Sequence, residues 1–330
     1  MALEDDLLAD PVGFAKRYSF FPQGKPKDFA FDTDISARAL KGDFAGFTRS
    51  HVKDDKMISR VTLEIGLCDR GESLLVNPVI GGGTGVPVYF LPWDQRGAAV
   101  RMTIPHAPPD LPEIQHPKIF FTAVLSGCSI IFKGTPQNPT IYHCGTEGLG
   151  DQEGGQGTPT PRDSSKYASS DAYFRQMLSG KGYRNIGGQI NKTDYMVPIR
   201  GGGGETIAQR ENDFLTALKS QPQFKKGFIL KSAISWGACF GVRKGSDWKF
   251  YLQENASVSY DTVKWADVSR EKEVSKKTMF GSKTTSVSYV TSQKIVTPGK
   301  VISRPLLVQR VFPGTGTAKM TPCWDLLQLG

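Results

Sequence analysis

In the stretch Ser129-Ile-Ile-Phe-Lys-Gly-Thr-Pro-Gln-Asn-Pro-Thr-Ile-Tyr-His143, two apolar runs enclose a segment of turn-forming residues. The apolar and β-branched residues on both sides favour strands. The glycine, the two prolines and the asparagine between them are typical of a turn. The sequence therefore predicts a β-hairpin, with Lys133 and Thr140 closing a six-residue loop.

This hairpin would place a thiol and an imidazole close together. If Lys133 pairs with Thr140, the numbers of paired residues sum to 273, so that His143 lies opposite Ile130 and Cys128 opposite Gly145. Because side chains alternate between the two faces of a strand, Cys128 and Ile130 point to the same side. We therefore expect His143 to share a face with Cys128, one diagonal step away, provided that no bulge intervenes.

A thiol beside an imidazole is the minimum set of groups for nucleophilic acyl chemistry, in which the imidazole takes and later returns a proton. Ser126 and Gly127 precede Cys128 directly. The glycine permits a tight turn and a close approach of the substrate backbone. The amide groups around Cys128 are candidate donors to a developing oxyanion. A buried, inert cysteine and a hydrogen-bonded core histidine are the alternative interpretation.

Upstream and downstream of the hairpin, short strand-like segments dominate, and helical segments are few. Ile119–Leu125 reads as a fully buried strand, and helices are expected at Asp171–Leu178 and Glu205–Lys219. The predicted strands are listed here: 58–67, 73–80, 86–91, 98–104, 227–235, 236–242, 248–252, 257–260, 285–291 and 294–303. This pattern predicts an α+β protein in which two mixed sheets form a β-sandwich flanked by helices. Residues 1–55 are expected to be an N-terminal segment, either with a delivery role or as part of the fold. One domain is expected at 56–330, with a Gly-rich loop at 145–166.

Net charge and cysteine spacing limit the partners and the kinds of site that we expect. The 330 residues carry a formal net charge of +9. Basic side chains are concentrated only between Arg270 and Lys283, and this segment is a candidate binding site for an acidic partner or a membrane surface. Five cysteines with irregular spacing argue against a disulfide framework, and Cys128 and Cys144 lack the CxxC partners of a structural zinc site. We expect no cofactor, no metal, no nucleic-acid partner and no integral membrane segment. We also expect no Sec-type signal peptide, because the acidic first ten residues have neither a basic n-region nor an apolar h-region.

The motif Leu-Ser-Gly-Cys, with a histidine fifteen residues further on in the context His-x-Gly-Thr, resembles the catalytic domain of the cytotoxic necrotizing factor family. This group of bacterial glutamine deamidases includes dermonecrotic toxin, and Burkholderia lethal factor is a more distant relative. The matching positions are Ser126-Gly127-Cys128 and His143, Gly145 and Thr146. The motif match covers about twenty residues, and the chain length suits that catalytic domain alone.

The resemblance implies a β-sandwich flanked by helices and makes 56–330 the catalytic deamidase domain. It also implies that Cys128 is the nucleophile and His143 the general base and acid. Thr122 is a candidate for the third element, which orients the histidine. The expected function is that of a secreted bacterial effector acting in the cytosol of a host cell. There it would convert a glutamine of a host protein, such as a Rho-type GTPase, to glutamate, with transglutamination as a side activity.

Two other functions fit the same residues. A thiol peptidase or another cysteine hydrolase would use the same pair but would need an extended substrate groove. A non-catalytic β-sandwich binding protein would keep Cys128 and His143 as core residues.

Overall fold

A computed structural model describes residues 3–23, 31–32, 49–52, 58–79, 84–93, 99–106, 116–144, 186–191, 194–195, 216, 220 and 228–314. Two short helices open the chain, α1 (Leu3–Ala9) and α2 (Pro11–Arg17). The strands of the first half are β1 (Phe20–Pro22), β2 (Phe31–Asp32), β3 (Arg49–Val52), β4 (Ile58–Cys68), β5 (Gly71–Val79), β6 (Val86–Leu91), β7 (Ala99–Thr103), β8 (Ile119–Thr122), β9 (Ser129–Thr135) and β10 (Asn138–Cys144). The strands of the second half are β11 (Ile186–Ile190), β12 (Phe228–Lys244), β13 (Asp247–Thr278) and β14 (Gly281–Phe312).

The strands form two sheets. The larger has eight strands in the order β1-β5-β14-β13-β12-β8-β6-β4, and the smaller has six in the order β11-β9-β10-β7-β3-β2. Both are mixed, since β6 runs parallel to β8 in the larger sheet and β3 runs parallel to β7 in the smaller one. The prediction of a β-rich protein with mixed sheets is confirmed.

The larger sheet is buried on both faces around β8, and this strand shows how the two cores are separated. Phe120 belongs to a core cluster that also contains Ile130 and Phe132 of the smaller sheet. Its neighbours Ile119 and Phe121 belong to a second cluster on the opposite face, together with side chains of α1 and α2. The alternation of side chains in a strand produces this division. It explains why the segment that begins at Ile119 reads as continuously apolar.

The N-terminal helices are attached to the larger sheet by packing and by one buried amide. Phe14 and Phe20 are fully buried in the second cluster. Gln253 of β13 accepts a hydrogen bond from the backbone N–H of Phe20 at 2.8 Å, and it donates to the carbonyls of Ala15 and Tyr18. One side chain therefore satisfies three backbone groups at the point where α2 turns into β1.

The main difference from the predicted elements concerns the last third of the chain. The short strands expected between 248 and 303 are instead parts of β13 and β14, two strands of 32 residues each that pair with each other from Phe250 and Phe312 to Thr278 and Gly281. Beyond Tyr260 the outer part of β13 carries too many charged residues for the apolar pattern of a strand to be recognised. In β14 the predicted strands 285–291 and 294–303 both fall within the observed strand. Of the predicted helices, Asp171–Leu178 lies outside the described residues, and Glu205–Lys219 is described only at Thr216, which is helical. The Gly-rich loop predicted at 145–166 also lies outside the described residues.

No helix within the described ranges has the length and apolar character needed to cross a membrane.

Replacing Gln253 with alanine should lower the free energy of unfolding by about 2–4 kcal/mol, because three backbone groups lose a buried partner. Urea unfolding of Gln253→Ala measures this loss. Gln293→Ala, at an exposed position of β14, is the matched control and should change stability by less than about 0.5 kcal/mol. Equal stability of the two variants would contradict the role assigned to Gln253.

Candidate active site

The predicted hairpin is formed by β9 and β10, with the predicted register. Lys133 pairs with Thr140, His143 with Ile130 and Cys144 with Ser129. The connection is tighter than expected: pairing continues to Thr135 and Asn138, and only two residues remain in the turn instead of six. A shorter turn in the same register leaves the strand faces unchanged, so His143 lies opposite Ile130 as predicted. Cys128 lies one residue before Ser129, the first paired residue of β9.

His143 lies in the interior, between the two sheets. It pairs with Val100 of β7 on one side and with Ile130 of β9 on the other, and its side chain is fully buried. Its ring nitrogen Nδ1 is 2.6 Å from the hydroxyl of Thr122, the last residue of β8 in the opposite sheet. The hydrogen bond between Thr122 and His143 therefore joins the two sheets at the predicted site.

The hydrogen bonds of Thr122 assign the tautomer of His143. The hydroxyl of Thr122 donates its one proton to the carbonyl of Leu91 at 2.9 Å. It must then accept from His143, which places a proton on Nδ1 and a lone pair on Nε2. Among the described residues, Nε2 has no hydrogen-bond partner. The arrangement thus presents a neutral imidazole whose basic nitrogen is available for proton transfer.

Burial also sets the charge of this imidazole. Removal from water lowers the pKa of His143 from 6.5 to about 3, because the charged form loses its hydration. The ring is therefore neutral at physiological pH. A stable thiolate–imidazolium pair is not favoured at rest, so a proton would move onto Nε2 only as a reaction proceeds.

Cys128 lies one residue before β9 and belongs to the same core cluster as Ile130 and Val100, the residues that flank His143. Cys128 is 7% exposed, whereas His143 is fully buried. Gly127 has φ +141°, a conformation that residues with a side chain rarely adopt, and Ser126 is exposed. The turn thus brings the cysteine to the margin of the core, next to solvent.

Tyr195 holds this turn in place, and sequence reasoning missed it. Its buried hydroxyl accepts from the N–H of Gly127 at 3.1 Å and donates to the carbonyl of Cys128. The ring packs against Gly237, where a Cβ atom would lie 2.8 Å from the ring carbon Cγ. Gly237 in turn bridges Leu125 through two backbone hydrogen bonds of 2.8 and 3.0 Å. Nothing in the sequence connects Tyr195 with a turn 67 residues earlier.

The structure separates the predicted site residues into three groups. Thr122 and His143 are in contact, and Cys128 and Gly127 lie in the adjoining turn. The amide of Gly127 is engaged by Tyr195 and so does not point to an oxyanion in this state. Ser126 is exposed next to the turn and makes no contact with His143 that the structure describes. Gly145 and Thr146 of the motif lie outside the described residues.

Other buried thiols are less suited to catalysis. Cys239 is fully buried, and burial raises the pKa of its thiol. Cys144 is fully buried and, as the neighbour of His143 in β10, points to the opposite face of the smaller sheet. Within the described part of the chain, no cluster of three or more His, Cys, Asp or Glu side chains could hold a metal ion.

Comparisons with the models of known protein families and with curated proteins find no match to this chain. The motif residues and their geometry are therefore the basis for assigning a function.

Removing the hydroxyl of Tyr195 should destabilise the protein by about 1–3 kcal/mol, because the N–H of Gly127 and the carbonyl of Cys128 lose a buried partner. Urea unfolding of Tyr195→Phe tests this expectation. Tyr289→Phe removes a hydroxyl from a side chain that is 42% exposed and should have almost no effect. If both variants unfold at the same urea concentration as the native protein, Tyr195 does not support the turn.

Stability should fall with decreasing pH in a manner that depends on His143. The pKa of His143 is lowered to about 3 in the folded protein, so below pH 6.5 the unfolded chain binds a proton that the folded chain does not. Between pH 6 and pH 4 this linkage contributes a loss of up to about 1.4 kcal/mol per pH unit. Unfolding of His143→Gln should lack this component, whereas the exposed control His106→Gln should retain it. Parallel pH profiles of the two variants would show that His143 is not buried in neutral form.

Proposed function

We propose that this protein is a cysteine-dependent glutamine deamidase. The observation that carries the proposal is the hydrogen bond from Nδ1–H of His143 to Thr122, which leaves the lone pair of Nε2 without a partner among the described residues. Val100 and Ile130, the two residues that pair with His143, belong to the core cluster that contains Cys128. The fifteen-residue spacing from Cys128 to His143 is also the feature on which the resemblance to the necrotizing factor family rests.

In the proposed reaction the thiol of Cys128 gives its proton to Nε2 of His143 while the sulfur attacks the carboxamide carbon of a glutamine. Thr122 stabilises the transient imidazolium by accepting from Nδ1–H. The tetrahedral intermediate then collapses, and His143 returns the proton to the departing ammonia. A thioester between Cys128 and the glutamyl group remains.

Water completes the cycle. His143, again neutral, takes a proton from a water molecule that attacks the thioester carbonyl, and the proton returns to the sulfur as glutamate is released. An amine in place of water would yield the transglutamination product. Because His143 is fully buried and Cys128 keeps a small exposed area, the carboxamide would approach from the turn that carries Ser126.

The substrate class follows from the resemblance. The carboxamide would belong to a host protein, and a Rho-type GTPase is the first candidate, because loss of the glutamine that positions the hydrolytic water would keep such a protein in its GTP-bound state. The same resemblance supports a secreted effector that acts in the host cytosol, and a helix-flanked β-sandwich as the finer description of the fold.

Incubation of the purified protein with a Rho-type GTPase should raise the mass of one glutamine-containing peptide by about one dalton, since an amide becomes an acid. Cys128→Ser should abolish this change. Cys68→Ser, at a partly exposed thiol outside the site, is the matched control and should retain it. Peptide fragments in place of the mass shift would indicate a thiol peptidase, and an unchanged substrate across a panel of host proteins would indicate a binding protein.

The part played by Thr122 can be tested separately. Thr122→Val keeps the shape of the side chain but removes the acceptor for Nδ1–H, so kcat should fall by about 10²-fold with little change in KM. Thr122→Ser keeps the hydroxyl and should retain most of the activity. Equal kinetics of the valine and serine variants would exclude an orienting role for this residue.

A further inference from the structure

The outer part of the β13–β14 hairpin, residues 264–295, extends from the body of the protein and is called the arm. Strand β13 leaves its other neighbour, β12, at Thr262, and the last described pairing of β14 with β5 is at Ile302. Beyond these points the two strands pair only with each other within the described residues. From Lys264 to Thr278 the arm measures about 50 Å, at 3.3 Å per residue.

The turn at the end of the arm consists of two large apolar residues. Met279 is 98% exposed and Phe280 is 100% exposed. They occupy the central positions of a two-residue hairpin turn, between Thr278 and Gly281, where asparagine and glycine are the usual residues. Turn geometry therefore does not explain this pair, and two fully exposed apolar side chains indicate a binding surface.

The pairing register gives the two faces of the arm different charges. Lys276 pairs with Lys283, and pairing is regular from there to Lys264 and Ile295. Because side chains alternate, all basic residues at even positions of β13 share a face with those at odd positions of β14. This cationic face carries Lys264, Arg270, Lys272, Lys276 and Lys283, and it has no acidic residue.

The opposite face has another composition. It carries all three acidic residues of the arm, Asp267, Glu271 and Glu273, together with many serines. Apolar side chains also lie between the basic residues of the cationic face: Val268, Val274, Val287, Tyr289 and Ile295. The opposite face has two large exposed apolar residues, Trp265 and Val290. Neither face is covered by another described element, and a two-stranded ribbon of this kind is marginally stable alone.

We propose that the arm docks on an anionic lipid surface, with its cationic face towards the head groups and the Met279-Phe280 turn inserted at the acyl boundary. Each basic residue near such a surface is attracted to anionic lipids, and the lysine stems can lie along the apolar layer while their ammonium groups reach the head groups. Apolar area at the turn adds the non-electrostatic part of the affinity. Edge-to-edge pairing of arms from two copies would instead bring cationic faces side by side, and like charges oppose this.

Co-sedimentation of the full-length protein with vesicles tests the proposal. We expect binding to phosphatidylcholine vesicles that contain phosphatidylserine, little binding to phosphatidylcholine alone, and weakening as the salt concentration rises. Replacing both turn residues, Met279→Ser with Phe280→Ser, should weaken binding about tenfold or more. Cys128→Ser should bind as the native protein does, which separates this test from that of the proposed enzyme activity.

A matched pair of charge variants tests the facial arrangement. Lys276→Glu with Lys283→Glu alters the cationic face and should weaken vesicle binding about tenfold or more. Lys277→Glu with Lys294→Glu makes the same change in net charge on the opposite face and should weaken it much less.

Three results would overturn the proposal: equal loss in both charge variants, binding that does not depend on phosphatidylserine, or no binding to vesicles at all. A lipid-independent dimer in light scattering that the turn substitution dissociates would assign the arm to a second copy instead.

Discussion

The hydrogen bond between Thr122 and His143 is the interaction on which the proposed chemistry depends. It joins the last residue of β8 in the larger sheet to the imidazole of β10 in the smaller one. Both residues face the shared core because the side chains of each strand alternate, so that Phe120 and Thr122 point to the smaller sheet while Ile119 and Phe121 point away. The packing of two sheets thus determines the orientation of one ring.

Burial gives that ring its chemical character. A fully buried imidazole with one nitrogen occupied by a neutral hydroxyl is neutral at physiological pH and basic only at Nε2. Such a group serves as a base when a charge begins to form close by, and at rest it holds no second proton on Nε2. The turn of Cys128 complements it, since Tyr195 binds the N–H of Gly127 and the carbonyl of Cys128 and so holds the turn at the margin of the core.

Local features of the sequence predicted much of this arrangement, and its non-local features could not be predicted. The β9–β10 register followed from apolar runs on either side of a turn, and the strand at Ile119 followed from its apolar character. Thr122 was placed as a candidate only through the family resemblance. Tyr195 could not be found, because its contact with the turn depends on how chain segments 67 residues apart pack together. The length of β13 and β14 was also missed, because an exposed ribbon has no buried face to impose a regular apolar pattern.

The state of His143 provides the most direct test of this interpretation. The chain has four histidines, so ¹⁵N labelling of histidine alone allows each ring to be followed by nuclear magnetic resonance. At neutral pH we predict that His143 has its proton on Nδ1 and none on Nε2, and that Thr122→Val changes this signal while Thr122→Ser preserves it. A proton on Nε2, or a doubly protonated ring at neutral pH, would contradict the assignment of His143 as the base that activates Cys128.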